Sequence, residues 1–119
     1  MALLDDLQTA ASNGLAAGAN AARAQGTALA GDFESLVKPN LDAIVVEVAA
    51  ITQNRIDGDI GDDQARDDLS SQFGRIQTEA LAMAELSELA VQIIVNAVLD
   101  VLKSAINTAT TRAIGVGLF

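Results

Sequence analysis

The chain has 119 residues and a mass of 12.2 kDa, which is the size of a single domain. Half of its residues are hydrophobic but only 3% are aromatic, and Ala and Gly together make up over a quarter. With neither Cys nor His, the chain has no disulfide and no imidazole base, and we expect no metal or other cofactor. Its net charge of −9 without a basic block argues against nucleic-acid binding.

The first predicted element is an Ala- and Gly-rich helix over residues 1–31. Its most regular feature is a row of small residues at four-residue spacing: Ala10, Gly14, Gly18, Ala22, Gly26 and Ala30. Such a row removes side-chain bulk along one ridge, so that another helix can pack closely against it. A loose, flexible arm is the alternative interpretation of the same composition.

The second predicted element is a helix over residues 32–56. Asp32 is a plausible N-cap, and Pro39 predicts a kink because proline disfavours helical geometry at the residue before it. From Leu41 to Ile56 apolar residues recur at spacings of three and four, which is typical of a helix. Residues 57–61 then form a turn, in which Gly58 suits the left-handed position after a helix.

The acidic turn matches the middle of a calcium-binding loop, Asp57-Gly58-Asp59-Ile60. In that register, however, Arg55 would occupy a ligand position, where a calcium loop needs an oxygen. We therefore interpret the segment as a solvated hairpin turn. The other carboxylate pairs of the chain have no His, Tyr or Trp beside them, which favours solvated helix faces over an enzyme site.

The third predicted element is one long helix over residues 62–114, followed by an apolar tail over 115–119. Apolar residues follow a seven-residue period through this helix, as in a coiled coil or bundle. Around Leu89–Leu102 nearly every residue is apolar, and a helix apolar on all sides must be surrounded. One short chain has too few partners to surround it, so we expect other copies of the chain to do so.

A polar line, Asn96, Asp100, Lys103 and Asn107, runs along this apolar segment. Asp100 and Lys103 are three residues apart and can pair on a helix. Two interpretations are open: the line sets the register within an assembly, or it faces a lumen.

The predicted fold is therefore all-α, a helical hairpin or bundle with one long C-terminal helix, packed in a homo-oligomer. The residues expected at helix-packing or oligomer interfaces are Gly14, Gly18, Ala22, Gly26, Ile76, Met83, Ala90, Ile94, Ala97, Val101, Leu118 and Phe119.

The N-terminal residues do not read as a secretory signal, because their first charges are Asp5 and Asp6 rather than basic residues. The best apolar run covers 89–99, eleven residues between Glu88 and Asp100, which suits a buried helix better than a stable membrane span. We therefore expect a cytoplasmic assembly, and leave a membrane open as a partner.

The second half of the chain resembles small all-helical proteins of tailed bacteriophages and prophages that are encoded among virion genes. The resemblance covers roughly the last 65 residues. It rests on Asp57-Gly58-x-Ile60, on Gln64-Ala65-x3-Leu69, and on Asn96-Ala97-x-Leu99-x2-Leu102-x3-Ile106-Asn107 with the short apolar C-terminus. It implies a structural virion component of the tail, neck or ejection apparatus, with copies of itself and other structural proteins of the same assembly as partners.

Other functions compete with that expectation. A membrane-active protein could insert from a soluble bundle, using the glycine row and residues 89–102. A helical filament or secretion-apparatus subunit, or an acidic regulator or cargo chaperone, would also fit an acidic helical chain. An enzyme is the class that the composition favours least.

Overall fold

A computed structural model describes residues 2–27, 33–82 and 86–119. The described residues form four α-helices: α1 (Ala2–Ala24), α2 (Phe33–Ile56), α3 (Asp62–Arg75) and α4 (Glu88–Ile114). A π-helical turn, Ile76–Ala80, continues directly from α3. This part of the chain contains no strand, so the all-α prediction is confirmed. The predicted homo-oligomer stays a prediction.

The helices α1 and α4 pack against each other along most of α1, in antiparallel directions. The direction follows from their register, because Gly14 lies against Val98 and Gly18 against Ile94. The rows at four-residue spacing on both helices are buried, from Ala10 to Ala22 on α1 and from Ala90 to Leu102 on α4. The row of small residues is thus a packing face of α1, and the partner it covers belongs to the same chain.

The first helix ends earlier than predicted, and Gly26 is not part of the packing row. Gly26 has a φ of +81°, and a Cβ added there would meet no atom within 4 Å. The amide of Thr27 donates to the carbonyl of Ala22, and that of Gly26 to the carbonyl of Arg23. This is a glycine-terminated helix end, which satisfies carbonyls that the finished helix leaves without partners. Ala30 and the predicted N-cap Asp32 lie outside the described residues.

The second helix passes through Pro39 without ending. Proline has no N–H, so the carbonyl of Ser35 lacks its usual helical donor. Ser35 and Pro39 both lie on the exposed side of α2, where water can replace that donor. The opposite side of the helix is buried from Phe33 to Val48, and this packing holds the interrupted first turns in helical form.

The turn over residues 57–61 matches its prediction. Gly58 has a φ of +83°, and the amide of Asp59 donates to the carbonyl of Asn54. Arg55 at the end of α2 forms an ion pair with Asp62 at the start of α3. The two helices are therefore joined by a backbone cap and by one charge pair across the turn.

The prediction of one helix over 62–114 is wrong. After α3 the helix widens into the π-helical turn, in which the Leu81 amide donates to the carbonyl of Ile76, five residues earlier. A new helix begins at Glu88, capped by the Ser87 hydroxyl, which accepts from the Ala90 amide at 3.2 Å. A straight helix over 62–114 would be about 80 Å long, whereas the molecule measures 43 Å along its longest axis. Because the chain folds back after α3, the apolar faces of α3 and α4 are both buried within the same chain.

The core forms where α1, α2, α3 and α4 face one another. Its largest fully buried side chains come from all parts of the bundle and include Phe33, Leu7, Leu41, Ile44, Leu69, Ile76, Leu81, Ile94, Leu102 and Ile106. The described part of the chain leaves no buried side-chain nitrogen or oxygen without a hydrogen bond. Two buried hydroxyls, those of Thr52 and Thr110, donate to the carbonyls one turn earlier.

Candidate functional site

The residues predicted at interfaces fall into three groups. Most are covered by the chain itself: Gly14, Gly18, Ala22, Ile76, Ala90, Ile94 and Leu118. Ala97 and Val101 are half-buried and Phe119 is 43% exposed, whereas Gly26 is exposed in a turn. Met83 lies outside the described residues.

The last five residues, which we call the C-terminal tail (115–119), fold back between α3 and α4. Arg66 of α3 donates from Nε to the carbonyl of Leu118 at 2.8 Å. The amide group of Asn107 on α4 accepts from the Phe119 N–H and donates to the Phe119 carbonyl, each at 2.8 Å. Leu118 is buried in the core, so the tail is held by backbone hydrogen bonds and one apolar anchor.

The Phe119 ring completes this site. It lies 5.8 Å from the ring of Phe73, measured between centroids, with a tilt of 44°. The Lys103 ammonium lies 5.6 Å from the Phe119 centroid and 5.9 Å from that of Phe73. Both distances are within the range of cation–π attraction. We call the site formed by Arg66, Phe73, Lys103 and Asn107 the tail cleft.

The predicted polar line on α4 is divided between different partners. Lys103 and Asn107 bind the C-terminal tail. Asn96 accepts a hydrogen bond from Gln92 of the same helix, and Asp100 is exposed. The lysine of the expected Asp100–Lys103 pair is thus directed to the aromatic rings.

An open groove of about 650 Å³ follows the same face of α4. Its lining residues are polar or charged, with both signs of charge: Asp100, Lys103, Ser104, Asn107, Thr108, Thr111 and Arg112. The charged side chains line a groove that is open to solvent. This arrangement gives a solvated face and no position where a substrate is held away from water.

A second groove, which we call the apolar groove, lies between the start of α1 and the second half of α2. It has a volume of about 360 Å³ and is lined by Leu3, Leu4, Val46, Ala49, Ala50, Gln53 and Asn54. Val46 is 46% exposed. None of the lining residues carries a charge, although the chain as a whole has a net charge of −9. The groove is therefore an uncharged, largely apolar patch on an acidic molecule.

The charged side chains near the helix ends mostly pair locally. Arg66 pairs with Asp63 and Arg75 with Glu79, at 3.0 and 2.6 Å. The hydrogen bond from Arg75 lowers the pKa of the Glu79 carboxyl, and the same bond raises the pKa of Arg75. Among the described residues, no group of three or more Asp or Glu side chains is placed to hold a metal ion. These pairs are typical of exposed helices and build no acid–base site.

Sequence reasoning missed both the tail cleft and the apolar groove. The chain has only three Phe residues, and this rarity is the sequence signal that could have drawn attention to the tail cleft. Two of the three, Phe73 and Phe119, pair there. The apolar groove carries a weaker signal, because Leu3 and Leu4 on α1 and Val46 on α2 look like ordinary members of amphipathic helices.

Within the described part of the chain, one helix is long and apolar enough to cross a membrane by length and composition, namely α4. The same length and composition occur in core helices of water-soluble bundles. In this fold α4 packs against α1 through its buried row.

Comparison of the whole chain with protein-family models, with curated proteins and with solved structures found no match in any of the three.

Proposed function

We propose that this chain is a non-enzymatic structural protein that assembles with copies of itself. The observation that carries the proposal is the apolar groove on the outside of a bundle that buries most of the large apolar side chains in its described part. Apolar surface that leaves water stabilises an assembly by about 25 cal/mol per Å². Between chains of net charge −9, contact through an uncharged surface keeps like charges apart.

The resemblance of roughly the last 65 residues to small helical phage proteins supports a more specific proposal, that the assembly is part of a virion. A bundle that, in its described part, offers an apolar packing surface and a polar groove open to solvent fits a component of a tail, neck or ejection apparatus. Mass spectrometry of purified particles tests this placement. Absence of the chain from intact particles would leave a self-assembling protein outside the virion.

The assembly itself is tested with two matched variants on α2. Val46→Glu places a charge in the apolar groove, whereas Leu36→Glu places the same charge at a residue of similar exposure outside it. Sedimentation velocity should show oligomers for the unchanged chain and for Leu36→Glu. For Val46→Glu the dissociation constant should rise about tenfold or more, which corresponds to about 1.4 kcal/mol. A monomeric unchanged chain with concentration-independent melting would refute the proposal.

A second function, membrane insertion, is favoured by one observation, the length and apolar composition of α4. Insertion would require α4 to exchange its contacts with α1 for contacts with lipid. Flotation with anionic and with neutral vesicles, combined with dye release, tests it. A chain that stays at the bottom of the gradient with both vesicle types would eliminate this function.

A further inference from the structure

The tail cleft recognises the C-terminal tail in the way that peptide-binding sites recognise a peptide. Asn107 and Arg66 bind backbone groups of Phe119 and Leu118, whereas Leu118 fills an apolar position. Backbone hydrogen bonds give such sites affinity, and side-chain pockets give them specificity. The contacts depend on the tail segment and not on its covalent attachment to the same chain.

The backbone that leads into the tail can be redirected. Gly115 has a φ of +81° with open space around it, so it turns the chain out of α4 without a steric conflict. A Cβ at Gly117 would lie 3.0 Å from the Asn107 Oδ1, so a larger residue there needs only a small shift of the Asn107 side chain. A fully extended segment of five residues spans at most about 18 Å. The tail can therefore reach a neighbour whose cleft lies beside the end of α4.

We propose that the tail cleft is an exchangeable docking site, in which the C-terminal tail of one copy occupies the cleft of another. The inference rests on the proposed self-assembly, which brings copies together, and it names a surface that links them. Every contact made within one chain is made again between two chains, so exchange loses no hydrogen bond. The fraction of clefts that hold a neighbour's tail depends on the concentration of copies relative to the effective concentration of the chain's own tail.

The exchange also limits the geometry of the assembly. If two copies swap tails reciprocally, they form a closed dimer with two-fold symmetry. If each tail passes to the next copy in one direction, the contact is head-to-tail and produces a ring or a filament. Either arrangement uses the tail cleft, so one trapping experiment covers both.

The experiment uses disulfide trapping in the full chain, which contains no natural Cys. A Cβ at position 117 would lie 3.5 Å from the Asn107 Cβ, which is within the usual Cβ–Cβ range of disulfides, about 3.5–4.5 Å. Chains carrying only Gly117→Cys are mixed with chains carrying only Asn107→Cys in a glutathione redox buffer. This pair gives up the Asn107 hydrogen bonds and keeps the Arg66 bond, the buried Leu118 and the Phe119 ring contacts. The matched control replaces Asn107→Cys by Asn96→Cys, an exposed site on the same helix.

We expect the 117–107 heterodimer to form in about tenfold higher yield than the 117–96 control, because docking raises the local concentration of the two thiols. Adding Phe119→Ala to the Gly117→Cys chain should reduce this yield, since the ring contacts with Phe73 and Lys103 are lost. Circular dichroism melts of each single-Cys chain establish that it is folded.

Equal yields from the two pairs, with folded chains, would overturn tail exchange. That result is distinguishable from failure of the proposed function, which the sedimentation of the unchanged chain measures separately. Oligomers without trapping would mean that copies associate through a surface other than the tail cleft, while each tail stays in its own cleft. Trapping with a monomeric unchanged chain would support the docking site and refute the self-assembly.

Discussion

At the residue scale, the contact between α1 and α4 depends on two missing side chains. A Cβ added at Gly14 would lie 2.8 Å from the Val98 Cα, and one added at Gly18 would lie 2.8 Å from the Ile94 Cα. In both cases the obstructing atom is backbone, which cannot move aside as a flexible side chain can. The conformational cost of glycine in a helix is thus offset by closer packing.

We predict that Gly14→Ala and Gly18→Ala each destabilise the fold. Separating the helices costs about 1–3 kcal/mol, whereas the better helix propensity of alanine returns at most about 1 kcal/mol. The midpoint of thermal unfolding should fall by several degrees. Gly74→Ala is the control, because it lies on the exposed side of α3 where a Cβ meets nothing. It should stabilise by about 0.5–1 kcal/mol. Stabilisation by all three substitutions would contradict the close contact.

The pair between Arg75 and Glu79 gives a pH-dependent prediction. Because the pKa of Glu79 is lowered in the folded chain, the pair stabilises the fold above the ordinary glutamate pKa. That contribution disappears as the pH falls through the lowered pKa. Carbon-detected NMR titration should show the Glu79 pKa below that of an ordinary glutamate, and Arg75→Gln should return it towards that value. High salt should reduce the shift, because both groups are exposed. An unchanged pKa in Arg75→Gln would count against the pair.

At the element scale, the beginning of α4 is fixed by Ser87. Its hydroxyl accepts from the Ala90 amide, one of the N–H groups that a helix start leaves without a partner. Ser87→Ala should therefore lower the free energy of unfolding by about 1 kcal/mol. Ser87→Asp keeps an accepting oxygen at the cap and should retain the stability. If Ser87→Ala has the same melting temperature as the unchanged chain, the Ser87 cap contributes nothing to the stability of the fold.

The helices themselves were largely predictable, and the places where the prediction failed have physical reasons. The apolar spacing of α2 and the glycine of the turn at Gly58 depend on local pattern, and the structure has both. The break before α4 was missed because the heptad stripe continues across it, and only Ser87 followed by Glu88 indicates a new start. The row of small residues indicated close packing, but a single sequence does not distinguish a partner helix in the same chain from one in another copy.

The candidate surfaces were less predictable than the helices. In the tail cleft, Arg66 and Asn107 form hydrogen bonds with the backbone of Leu118 and Phe119. Every residue has such backbone groups, so these contacts cannot be predicted from the pattern of side chains in the sequence. The apolar groove arises where α1 and α2 meet along an edge. Each helix alone looks amphipathic, so the patch exists only after the two are packed.

At the scale of the whole molecule, charge opposes any assembly of this chain. Each copy has a net charge of −9 and an isoelectric point near 4.1. Copies therefore repel one another at neutral pH, and contact through the uncharged apolar groove must overcome that repulsion. Salt screens the repulsion, because the Debye length falls from about 10 Å at 0.1 M to about 3 Å at 1 M. Apolar contact is not weakened by the same change.

We therefore predict that added sodium chloride strengthens self-association. Sedimentation velocity at one protein concentration should show a larger oligomer fraction at high salt than at low salt, and lowering the pH towards the isoelectric point should act in the same direction. The Val46→Glu variant should remain more dissociated than Leu36→Glu at every salt concentration, because its added charge lies inside the contact. Dissociation by salt would instead mean that ion pairs such as those of Lys38 or Arg112 hold the copies together, and the apolar groove would then not be the assembly surface.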